Sequence, residues 1–171
     1  MNARACAAAS VTTIAVVWAG WLAAVPVVAA AGPHGATLVA VAATYKVGSL
    51  ICHQDPDRSF HVGDVQTPVC ARCVGLYGGA AIGAIIGLIW VSRRPRRPAG
   101  APVLLTKLRT MLLLAAIPTL ALWSLEHLAG VGVSNAVRFA GAVPLGAAIG
   151  GFVTAWVAGA PFDDHAAPAI H

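Results

Sequence analysis

The sequence predicts an all-α fold, a polytopic membrane bundle of four or five transmembrane helices, on three observations. Hydrophobic residues make up 58% of the 171-residue chain and charged residues only 10%, far from the composition of a water-soluble domain. Residues 5–45, 74–92, 110–125 and 139–162 contain no Asp, Glu, Lys or Arg, and crossing about 30 Å of hydrocarbon takes about 20 apolar residues as helix. Finally, Arg93, Arg94, Arg96, Arg97, Lys107 and Arg109 supply six of the eleven basic residues, gathered between two apolar stretches as the positive-inside rule expects of a cytoplasmic loop.

The elements follow in order. Val11 to Ala31 forms a first span; its small residues before Gly32-Pro33 also resemble a signal-peptidase site, but the apolar run is long for a signal segment and further spans follow. Ala36 to Ile51 is a shorter segment that carries Lys46 and crosses only if that amine snorkels or finds a partner. Val74 to Ser92 is a third helix, with Gly75, Gly78, Gly79, Gly83 and Gly87 at spacings that let a neighbouring backbone approach. Pro95 and Pro98 stop it. Val103 to Leu128 is a fourth helix, with Pro118 as its kink point, and Ala136 to Ala158 a fifth.

The chain therefore divides into an N-terminal span at 1–35, a membrane domain at 36–160 that holds a polar Cys/His loop at 52–73 and a basic loop at 93–109, and a disordered tail at 161–171. With the basic loop cytoplasmic, the third span places residues 52–73 on the extracytoplasmic face of a plasma (inner) membrane. The connection after the fourth span returns to that face, bringing Glu126, His127 and Arg138 to the depth of the loop. The amino terminus is outside if the second segment spans and inside if it is re-entrant. The formal charge of +5 does not point to nucleic acid, since no aromatic interleaving or soluble binding fold accompanies it; the partner is the lipid bilayer, and oligomeric state is not legible.

Function concentrates at Cys52-His53 and Cys70-Ala71-Arg72-Cys73. Thiolate and imidazole are strong ligands for a soft or borderline metal, and paired thiols also serve redox chemistry. The wider pattern, C-H-Q-x-P-x-R-S-F from Cys52 to Phe60, then P-V-C-A-R-C-x-G-x-Y from Pro68 to Tyr77, resembles the domain-of-unknown-function family 2085 of small prokaryotic membrane proteins. The likeness continues at Pro118, Glu126 and Ser134-Asn135-Ala136-Val137-Arg138, and it covers most of the chain after Tyr45. The resemblance implies membership and no established activity. It departs at Leu122 and Trp123, where relatives often carry an aspartate, so that any acid function there falls to Glu126.

From the residues themselves, Cys52, His53, Cys70 and Cys73 make a Cys3His set suited to zinc, with His61 as the alternative nitrogen ligand and nearby aspartates to orient it. The competing chemistry is thiol–disulfide exchange: a C-x-x-C at a helix start favours the thiolate, and Arg72 between the cysteines helps. The odd count of three cysteines favours metal over a purely structural disulfide. Arg58, Ser59, Arg72 and Arg138 could converge on a small anionic ligand, but pairing of Arg58 with Asp55 or Asp57 and of Arg138 with Glu126 is the preferred reading. Glu126-His127 is an acid/base candidate beside a metal, although no H-E-x-x-H repeat supports a protease. The expectation is a zinc-binding membrane protein, with a membrane thiol-disulfide oxidoreductase and a small transporter or ligand sensor as alternatives; enzyme or not stays open.

Overall fold

The computed structural model describes residues 3–93 and 103–159. Five α-helices lie in them: α1 (Ala3–Ala30), α2 (Gly35–Ile51), α3 (Ala71–Arg93), α4 (Val103–Leu128) and α5 (Asn135–Val157). Between α2 and α3 come a 3-10 turn (Pro56–Arg58) and a two-stranded hairpin, β1 (His61–Val62) and β2 (Val65–Gln66). All five expected apolar segments are helical, and α1 begins well before Val11. The tail at 161–171 and the middle of the basic loop lie outside the described residues.

The core of the molecule is a backbone-to-backbone contact between α3 and α5. Gly75, Gly79, Gly83 and Gly87 repeat every fourth residue along one stripe of α3, and a Cβ at each would run into the backbone of Phe139, Val143, Ala147 and Gly151. Gly146 and Gly150 of α5 meet the carbonyls of Leu76 and Ala80 in the same way. Numbers rise together in both helices, so α3 and α5 run parallel. Without side chains between them, the helices gain dispersion contact over their whole length, the usual basis of association where lipid removes any hydrophobic drive.

Helices α1 and α4 are antiparallel to this pair. In α1, Thr12 donates to the Ala84 carbonyl of α3 at 3.4 Å, while Trp18, farther along, makes an edge-to-face contact with the earlier Tyr77, centroids 6.2 Å apart. In α4, Thr119 donates to the Gly141 carbonyl at 2.7 Å, and Leu122 fills the space in front of Gly141. The hydrophobic stretch of α4 is otherwise uncovered: Leu113, Leu120 and Leu128 are all exposed, as lipid-facing residues are.

These directions decide how many segments cross. Since α1 runs antiparallel to α3, its carboxyl end lies on the side where α3 begins; α2 also ends there, at Cys52 beside Cys70. The helix between them therefore starts and finishes on one face. At 17 residues α2 is also shorter than the four helices long and apolar enough to cross, α1, α3, α4 and α5. Of the two counts the sequence allows, four spans is the one found, and the amino terminus lies on the side of the arginine loop. The side chain of Arg4 accordingly sits against Gly159, just beyond α5.

The glycine stripe is sensitive to a single branched side chain. Gly83→Val forces the Ala147 backbone away and is expected to cost about 3 kcal/mol, the upper range for overpacking. Gly20→Ala, inside α1 at a position with open space around it, should not destabilise and is expected to stabilise by up to about 1 kcal/mol. Unfolding in mixed detergent micelles measures both.

Candidate metal centre

The site is assembled from two chain segments that meet where α2 ends and α3 begins. Cys52 terminates α2: its N–H still bonds the Gly48 carbonyl at 2.9 Å, but its own backbone is extended, with φ −144° and ψ 138°. Cys70 directly precedes α3, and Cys73 lies in its first turn. The three sulfurs all lie within 4.8 Å of one another. Two sulfurs on one tetrahedral zinc sit about 3.8 Å apart, given a Zn–S distance of about 2.3 Å, so closing on an ion needs only small side-chain adjustments.

The loop between the segments is built to hold this junction. Gln54 adopts φ +50°, a left-handed conformation uncommon outside glycine and asparagine, and its amide nitrogen reaches the carbonyls of Tyr45 at 2.8 Å and Pro68 at 2.7 Å. One side chain thus ties the last turns of α2 to the residues before Cys70. Gly48 leaves room for this tie, because a Cβ there would strike the Pro68 carbonyl and the Gln54 amide. The hairpin pairs His61 with Gln66 and Val62 with Val65, and Thr67 N–H bonds the Phe60 carbonyl at 2.7 Å. Pro68 and Val69 are fully buried beneath it.

Electrostatics favour a thiolate at one of the three sulfurs, Cys70. Cys70 N–H donates to Cys52 Sγ at 3.2 Å. The Cys70 thiol is brought down to about 5, first by the hydrogen bond from the Cys73 thiol and then by the Cys73 N–H, the Cys52 thiol and the Arg72 N–H, which outweigh the opposing effect of burial. A thiol depressed this far is thiolate at neutral pH, the form that ligates metal or attacks a disulfide.

Beside the sulfurs lies a buried charge cluster. Glu126, with its side chain 3% exposed, accepts from Arg72 Nη2 at one oxygen and from Arg138 Nε at the other, both at 2.5 Å. Arg138 is further held by Asn135 Oδ1 at 2.7 Å and the Asp57 carbonyl at 3.3 Å, while Asn135 Nδ2 donates to the Ser59 carbonyl at 2.9 Å. Arg72 belongs to α3, Glu126 to α4 and Arg138 to α5, so the cluster clamps three helices at the depth of the sulfurs.

Of the four residues expected to ligate metal, Cys52, Cys70 and Cys73 come together and His53 does not join them; it is exposed. The extended backbone at Cys52 explains this, since successive side chains along an extended segment point to opposite sides. His61 is exposed as well. His127 stacks on Trp123, centroids 4.7 Å apart, with Nδ1 2.9 Å from the Trp123 carbonyl. Arg58 pairs with Asp55 at 3.4 Å. Ser59 is buried and donates to the Asp55 carbonyl at 2.8 Å. The guanidinium groups of Arg72 and Arg138 converge on Glu126, and Glu126 answers to two arginines where the sequence suggested one. Gln54 and Asn135 were not singled out in the sequence, although both stand inside the motifs quoted above, where a buried amide bonding carbonyls across a loop is the signal to look for.

Fold and site together define a four-span helical membrane protein with a three-cysteine centre at the mouth of the bundle. The chain belongs to the DUF2085 family, described as a predicted membrane protein, whose profile it matches over residues 52–152. It is 55% identical over 42 residues to an uncharacterized protein of Methanocaldococcus jannaschii, a match spanning 25% of this chain and 27% of that protein. It is 35% identical over 97 residues to an uncharacterized protein of Methanothermobacter thermautotrophicus, covering 56% of this chain and 78% of the relative. No solved structure matches.

The charge cluster is tested by removing its centre. Glu126→Ala leaves two largely buried guanidinium groups uncompensated and should destabilise the protein by about 3–5 kcal/mol. Adding Arg72→Met and Arg138→Met to Glu126→Ala should recover much of that loss. Mixed-micelle unfolding measures both variants.

Proposed function

We propose that the protein is a metal-binding membrane protein that holds one zinc ion through Cys52, Cys70 and Cys73. The observation that carries this reading is the convergence of three sulfurs from two segments into a space within 4.8 Å. Supporting it are the N–H···S bond that fixes Cys52 Sγ beside Cys70 and the lowered Cys70 thiol, which favours the deprotonated ligand a metal needs. The ion would pin the end of α2 to the start of α3 and make the 52–73 loop rigid. Zinc comes first among the metals because it takes thiolates readily and asks for no particular redox partner.

The positive-inside rule supports the orientation. The arginines at 93–97 would lie in the cytoplasm and the cysteine centre on the outer face of the plasma membrane.

A second reading is favoured by the Cys70 thiol itself. A C-x-x-C whose first sulfur is thiolate at neutral pH can attack a disulfide, with Cys52 in reach to resolve the mixed disulfide. The protein would then be a membrane thiol-disulfide oxidoreductase.

Elemental analysis of detergent-purified protein separates the two. The metal reading expects about one zinc per chain, lost in Cys52→Ser and in Cys70→Ser and kept in His53→Ala. Metal-free protein with a reversibly oxidised Cys70–Cys73 or Cys52–Cys70 pair would instead establish the oxidoreductase.

A further inference from the structure

Among the described residues, three sulfurs make up the whole cluster of metal-ligating groups, and the number matters. Zinc and its surrogates with thiolate ligands are four-coordinate. Among the described residues, the nitrogen ligands that could complete the shell are elsewhere: His34, His53 and His61 are exposed, and His127 is exposed and stacked on Trp123. Of the carboxylates, Asp55 pairs with Arg58 and Glu126 with Arg72 and Arg138, while Asp57 and Asp64 are exposed and do not join the sulfurs. At the cluster Cys52 is buried while Cys70 and Cys73 are partly exposed, and a fourth ligand would approach from the side of those two.

Charge decides what that position takes. A divalent ion with three thiolates carries a net charge of −1, so its Lewis acidity is already spent and a bound water is weakly acidified compared with one on a three-histidine zinc. Hydrolysis is therefore a poor match. A soft donor suits an ion in a sulfur environment, and the Arg72–Glu126–Arg138 cluster, whose Arg72 lies between Cys70 and Cys73 in sequence, carries a net charge of +1.

We propose that the three-cysteine centre leaves one coordination position open and that it binds an exogenous low-molecular-weight thiol as thiolate. This rests on the metal reading above. In the binding step the thiol's S–H bond breaks, its proton passes to solvent, a sulfur–metal bond forms and any water in that position leaves. No oxidation state changes. The centre thereby becomes a site that captures and deprotonates thiols at the membrane surface.

The test uses the full-length protein in detergent, purified without thiols and loaded with Co(II), titrated with 2-mercaptoethanol. Sulfur-to-cobalt charge-transfer absorption scales with the number of thiolate ligands. It should rise by about a third as a fourth sulfur joins three, reverse on dialysis with cobalt retained, and behave identically in His53→Ala. A charge-transfer band that is present but indifferent to the thiol would overturn the proposal while leaving the metal reading in place. So would a change in the starting spectrum of His53→Ala, which would mean that imidazole already fills the position, or loss of cobalt to the thiol. Absence of any cysteine-dependent band would instead bring down the metal reading itself.

Discussion

The structure depends on the direct contact of two backbones. Because glycine occupies every fourth position on the inner face of α3, α5 lies against it with no side chains between, and the register is set carbonyl by carbonyl from Gly75–Phe139 to Gly87–Gly151. A parallel pair locked in this way brings the beginnings of both helices to the same depth. Cys70, Arg72 and Cys73 at the start of α3 are thus level with Asn135 and Arg138 at the start of α5. The polar site at the mouth of the bundle is thus a consequence of glycine packing that begins at Gly75, two residues after Cys73.

Around that pair, the polar groups do what the apolar ones cannot. Lipid offers α4 no reason to stay beside α5, and most of its surface faces outward. Glu126 supplies the reason, joining α4 to α3 and α5 through two arginines in a setting with little water to compete. Gln54 performs the same service for α2, which does not cross the bilayer and has only a few contacts to hold it: the Gln54 amide, the Tyr45 hydroxyl on the Gln66 carbonyl, and the bond from Trp21 to Thr44 at 2.8 Å. Every one of these ties lies at the cysteine end of the molecule. A metal at the three sulfurs would complete a set of cross-links already concentrated there.

Much of this could be read from residue order. Charge-free stretches announce helices because nothing else satisfies the backbone in lipid, and the glycine spacing of α3 announces a packing face. The pairing of Arg138 with Glu126 follows from their positions at the two ends of one connection. The convergence of Cys52 with Cys70 and Cys73 was an inference from chemistry, and the fold agrees with it. Three features were hidden. That α2 returns to its starting face depends on the direction of α1 against α3, a long-range property with no local signal. The exclusion of His53 depends on the backbone angles of a single residue, Cys52. The amides of Gln54 and Asn135 act on carbonyls that are distant in sequence, and composition cannot say which carbonyls those are.

The central claim is that three thiolates, and no imidazole, hold one metal ion at the mouth of a four-helix bundle. X-ray absorption at the zinc edge of the purified protein tests it most directly. Three sulfur scatterers at about 2.3 Å with a single lighter atom completing the shell, and no imidazole signature beyond, is the predicted result. A shell with fewer than three sulfurs, or outer scattering from a coordinated histidine ring, would contradict it.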